Sequence, residues 1–107
     1  MGINNSQNGQ FGTELSASMT GSTVSIGSLT QNPTHICFAN HGNATVSVYV
    51  NQTSTVWKTF AANEIWNMEL RAAHGIAPNF TFPIGTTFYG NGASGTFSIA
   101  YIYAQTQ

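Results

Sequence analysis

G-T-F-S-I-A-Y-I-Y, the run Gly95–Tyr103, alternates without a break. Phe97, Ile99, Tyr101 and Tyr103 fall on one parity, and Thr96, Ser98, Ala100 and Ile102 on the other. Successive side chains of a strand point to opposite faces, so the run predicts a strand whose large-residue face lies on a core. The glycine-rich Gly90-Asn91-Gly92-Ala93-Ser94-Gly95 predicts a turn that delivers the chain into it from another strand-like run, Thr86–Tyr89.

The same period recurs upstream. Thr23–Leu29 carries Val24 and Ile26, and Thr34–Asn40 sets Ile36 and Phe38 against His35, Cys37 and Ala39. Ala44–Asn51 sets Val46, Val48 and Val50 against Thr45, Ser47 and Tyr49. Thr55–Phe60, Glu64–Leu70 and the short Asn79–Phe82 follow, separated by turn residues such as Ala61-Ala62-Asn63 and Pro83-Ile84-Gly85. Ile65–Ala73 could pass for a short helix, but its bulky residues also alternate. About eight short strands at this spacing predict an all-β fold, an antiparallel β-sandwich that leans to a jelly roll. Residues 2–22 are mostly Asn, Gln, Gly, Ser and Thr, with Phe11 and Leu15 as bulky anchors. This composition predicts a polar N-terminal arm over 1–22, either ordered on a neighbour with a short strand around Gln10–Leu15 or a frayed terminus, ahead of a sandwich domain over 23–107.

Composition narrows the function. The chain has 107 residues, 41% of them hydrophobic, with seven Phe, four Tyr and two Trp, enough for one core. Charge is scarce: two basic and three acidic residues make 5% of the chain, against about 25% in an average domain. Two basic residues cannot neutralise a phosphate backbone, so no nucleic acid is expected as a partner. No apolar run approaches the roughly 20 residues of a membrane-spanning helix, so no membrane is expected either. The start, Met1-Gly2-Ile3-Asn4-Asn5-Ser6, lacks the basic and apolar regions of a secretion signal. A single cysteine, Cys37, forms no intrachain disulfide and fits folding in a reducing cytoplasm. A net charge of −1 gives little repulsion between copies, which favours association.

The inventory for catalysis is thin. There is no Asp, and Glu64 and Glu69 fall on opposite parities of one strand, which does not make a carboxylate pair. His35 and Cys37 share a face at i, i+2, with His41 at the strand end. Three such groups could ligate a metal, but a buried thiol and a half-polar His explain them more simply. No catalytic residue, cofactor or metal is therefore expected. The residues singled out for contact with a partner are Phe11 and Leu15 on the arm, Tyr49, Trp57 and Tyr89 on strands, and His74 in a loop. Exposed Trp57 with the tyrosines could alternatively form the stacking platform of a carbohydrate-binding, lectin-like module.

One sequence of features resembles a known group. A strand ends in Asn (Ile36-Cys37-Phe38-Ala39-Asn40), and a Gly-Asn turn leads to the valine-alternating Val46-Ser47-Val48-Tyr49-Val50. Phe60-Ala61-Ala62-Asn63-Glu64-Ile65-Trp66, Pro83-Ile84-Gly85-Thr86 and Ala93-Ser94-Gly95-Thr96 follow in order. Over about residues 34–104 this resembles the small β-sandwich accessory proteins of tailed-bacteriophage virions, such as head decoration (cement) proteins and neck or tail attachments. The resemblance implies a non-enzymatic virion protein, made in the host cytoplasm, that binds capsid or other virion proteins by shape as a homo-oligomer, a trimer by analogy. It transfers no active-site residue, and the low charge and long polar arm depart from the pattern.

Overall fold

The computed structural model describes residues 9–69 and 82–104. These form nine strands: β1 (Gly9–Phe11), β2 (Leu15–Ser18), β3 (Val24–Ser28), β4 (Pro33–Asn40), β5 (Val46–Val50), β6 (Lys58–Phe60), β7 (Ile65–Glu69), β8 (Thr87–Gly92) and β9 (Thr96–Ala104). All pairings are antiparallel. The first sheet runs β1-β9-β4-β7, with β2 pairing β9 beside β1, and the second runs β3-β8-β5-β6.

β1 and β2 act as one edge strand, because Phe11 pairs Ile102 and Leu15 pairs Ile99 along the same side of β9. Gly12 spans the interruption by donating its N–H to the Tyr101 carbonyl at 3.0 Å, and a Cβ there would collide with the Tyr101 ring. With those two counted as one, the chain visits the sheets alternately except between β5 and β6. That is the winding of a jelly roll, so the expected sandwich is present.

The core lies where the predicted parities meet. Phe97, Ile99 and Tyr101 of β9 and Ile36 and Phe38 of β4 face Val46 and Val48 of β5, Phe60 of β6 and Phe88 of β8, all buried. Phe38 is the centre of an aromatic cluster, with ring centroids of Trp57 at 5.2 Å, Phe88 at 5.6 Å and Phe60 at 5.7 Å. Edge-on and tilted contacts of this kind add to the stabilisation from burial alone. The Tyr101 hydroxyl reaches the Thr30 hydroxyl at 2.8 Å, tying β9 to the β3–β4 loop.

Three differences from the expectations have physical causes. The anticipated turn over 90–95 shortens to Ala93–Gly95, and β8 continues through Gly92. Gly90 and Gly92 face inward, where a Cβ on Gly92 would stand 2.8 Å from Val46 Cγ2, and the Met19 side chain fills the space above them. The glycines there make room rather than a bend. The strand anticipated over Thr55–Phe60 begins only at Lys58, because the Gln52 amide ties residues 52–55 into a loop. From residue 9 onward the anticipated arm lies on β9 of its own chain, with Leu15 and Met19 in the core. The strand expected over 79–82 lies outside the described residues except for Phe82, which is buried.

The corners are held by polar groups. Asn40, 1% exposed, donates to the carbonyls of Ala44 (2.9 Å) and Ala61 (3.0 Å) and accepts from the Gly42 N–H (3.0 Å). Gly95 has φ 91°, and a Cβ on it would stand 2.6 Å from the Gly42 Cα, so two loops touch backbone to backbone there.

Candidate functional site

A sandwich offers two outer sheet faces, and here they differ in chemistry. On the first sheet, the outward parity of β9 and β4 is Ala100, Ile102, His35 and Cys37, flanked by Phe11 on β1 and by Asn67 and Glu69 on β7. Phe11 is 82% exposed and Ile65, on the same face of β7, 61% exposed. Beside Phe11 lies a hollow of about 430 Å³ whose outward-facing floor is Ala100 and Cys37, with Ile102, His35 and Glu69 around it. Small side chains between large ones make it. The result is an apolar surface that carries a projecting ring and a recess side by side.

Polar groups on this face are few. His35 Nε2 stands 3.9 Å from Glu69 Oε2, an exposed pair of little energetic weight. His41 Nε2 is 2.9 Å from Ser98 Oγ, and no carboxylate is hydrogen-bonded to this imidazole among the described residues, so the pair lacks the orienting acid of a nucleophilic triad. Burial pushes the Cys37 thiol up from its ordinary range, which keeps it protonated and weakly nucleophilic. His35 and His41 are six positions apart on an extended strand, about 20 Å, so they cannot share a metal ion with Cys37. Among the described residues no group of three potential ligands converges.

The second sheet presents the opposite chemistry. Tyr89 pairs Ser25 on one side and Tyr49 on the other, and the neighbouring row is Asn91–Ser47–Thr59. The two tyrosines are half-buried. Lys58, the only formal charge on the strands of this sheet, is turned toward the interior, with Nζ 4.7 Å from the Phe60 ring centre, 4.9 Å from that of Trp66 and 3.3 Å from Glu64 Oε2.

The sequence-predicted contact residues therefore separate. Phe11 is on the exposed apolar face, and Tyr49 and Tyr89 are together on the polar one. Leu15 is a core residue, because it falls on the inward parity of β2 opposite Ile99. Trp57 belongs to the aromatic cluster, 5.3 Å from Phe82 and 5.7 Å from Trp66, and so does not supply an exposed stacking surface. His74 lies outside the described residues. Sequence reasoning passed over Ile65, Ile102 and Ala100, and weighed Cys37 only as a metal ligand or a buried thiol. The available signal was their apolar character on the outward parity of strands otherwise flanked by Ser, Thr and Asn.

Comparison of the chain with protein-family models, with characterised proteins and with solved structures gave no match.

Proposed function

We propose that this chain is a non-enzymatic virion structural protein that self-associates and decorates or cements a shell. The observation that carries the reading is the outer face of the first sheet, where Phe11 projects beside a recess floored by Ala100 and Cys37. A surface holding both a projection and a hollow can be matched by another copy of itself, as closed symmetric contacts require. The near absence of charge on the chain removes the repulsion that would keep copies apart. The jelly-roll winding and the likeness of residues 34–104 to virion accessory proteins support the setting, and that likeness favours three copies. Cementing would work by mass action: a protein that binds the assembled shell and not its free subunits stabilises the shell.

Light scattering on a sizing column across a concentration series tests this. A closed oligomer at low micromolar concentration is expected. Phe11→Ser combined with Ile65→Ser should shift it to a monomer that still unfolds cooperatively, since both side chains are exposed on the single chain. A wild-type chain that runs as monomer at every concentration would overturn the reading.

A further inference from the structure

We propose that the outer face of the second sheet is a binding site for a neutral oligosaccharide, centred on Tyr49 and Tyr89. The two tyrosines lie directly opposite one another on β5 and β8, so their Cβ atoms are about 5 Å apart on one outer face. Both side chains are half-buried, so part of each remains available to a ligand. The apolar side of a sugar ring stacks on such a surface, and its hydroxyls need donors and acceptors around the rim.

That rim is present. Ser25 flanks Tyr89 in the same row, and Asn91, Ser47 and Thr59 make the next. Asn91 spends its amide on the Thr23 hydroxyl at 3.1 Å, which leaves its carbonyl oxygen to accept. The hydroxyls of Ser25, Ser47, Thr59, Tyr49 and Tyr89 have no hydrogen-bond partner among the described residues. A flat field of unpaired hydroxyls around two rings is matched by a polyhydroxylated ligand.

Charge and apolar content select the class. No formal charge points outward from the strands of this sheet, since Lys58 is folded over the Phe60 and Trp66 rings. An anionic glycan or a phosphate would find no counter-charge. No aliphatic side chain stands on the outward parity of β5 or β8, unlike the Ile102 and Ile65 surface of the first sheet, so a protein partner would find no desolvated anchor beyond the tyrosines. The two faces are on opposite sides of the sandwich, so association through one leaves the other open to ligand.

The test titrates cellohexaose, chitohexaose and maltohexaose into the full chain, followed by amide chemical shifts. At least one should give saturable binding that high salt leaves unchanged, with the perturbed amides on β5 and β8. Tyr49→Ala and Tyr89→Ala should each weaken it about tenfold or more, and Tyr49→Phe, which keeps the ring, by much less. The proposal fails if none of the three binds up to about 10 mM, if the perturbed amides lie on the first sheet, or if either alanine variant binds as wild type. The shift map on the unaltered protein decides the matter even where an alanine variant does not fold.

Discussion

Asn40 shows how much of this fold rests on single polar side chains. Its amide is the shared partner of two loop carbonyls and one loop N–H, all close to the turn that leaves β4. Asn40→Ala should cost about 2–4 kcal/mol, because the partners stay buried and lose their bonds. Thermal unfolding would show this as a fall in Tm of about 10 °C or more. Asn40→Asp should not rescue it, since a carboxylate has no N–H to offer the Ala44 and Ala61 carbonyls. Glu64 is a gentler case. Its carboxylate accepts from the Ala61 N–H at 2.8 Å and from Lys58 at 3.3 Å, and these contacts, the backbone bond foremost, hold its pKa below the usual range. A lowered folded-state pKa stabilises the fold above the ordinary Glu value of about 4.3, and the gain is lost as pH falls through the folded value. Glu64→Gln should therefore lower Tm slightly at pH 7 and coincide with wild type in strong acid. An equal deficit at both pH values would assign the effect to packing instead.

At the scale of elements, the N-terminal edge strand is the clearest test of the architecture. Removing residues 1–8 leaves every described pairing of β1 and β2 in place. Removing residues 1–19 deletes Leu15 and Met19 from the core, where a single large-to-small change costs about 2–5 kcal/mol. Against a total stability of about 5–15 kcal/mol, the second truncation should abolish cooperative unfolding in calorimetry. The polar arm expected from residues 2–22 came from averaging a window in which only a few side chains matter. Leu15 falls opposite Ile99, and Met19 fills the space that Gly90 and Gly92 leave. Neither partnership is visible locally. Strand existence and parity were legible, because alternation is a local property of the chain. Sheet order was not, because a period of two states which face a residue takes and says nothing about which strand lies beside it. The glycines of β8 misled for a related reason: their role depends on Val46 and Met19, far away in sequence.

For the whole molecule, the contrast between its two outer faces matters more than any one residue. The Gly95–Tyr103 alternation identified the inner parity and gave the outer one no role. The apolar surface was nonetheless written there, in Ile102 and Ala100 on β9 and in Cys37 and Ile65 on their neighbours. What no single strand carries is that these side chains become adjacent, or that Phe11 lines up beside them. The same holds for Tyr49 and Tyr89, 40 positions apart in the chain and side by side in the sheet. The proposed association through the first face would involve few charges, so the oligomer mass should hold between low and high salt, and dissociation by salt would point to a different interface.

The place of β9 has a consequence for biosynthesis. This strand joins β1 and β2 to β4, and it is the last of the described strands to be made. Until Thr96–Ala104 has left the ribosome, the first sheet has no middle, and β4 presents the edge that β9 will cover. A nascent chain stalled before residue 96 should therefore be protease-sensitive and held by chaperones. Emergence of Thr96–Ala104 would convert it to a resistant form in one step.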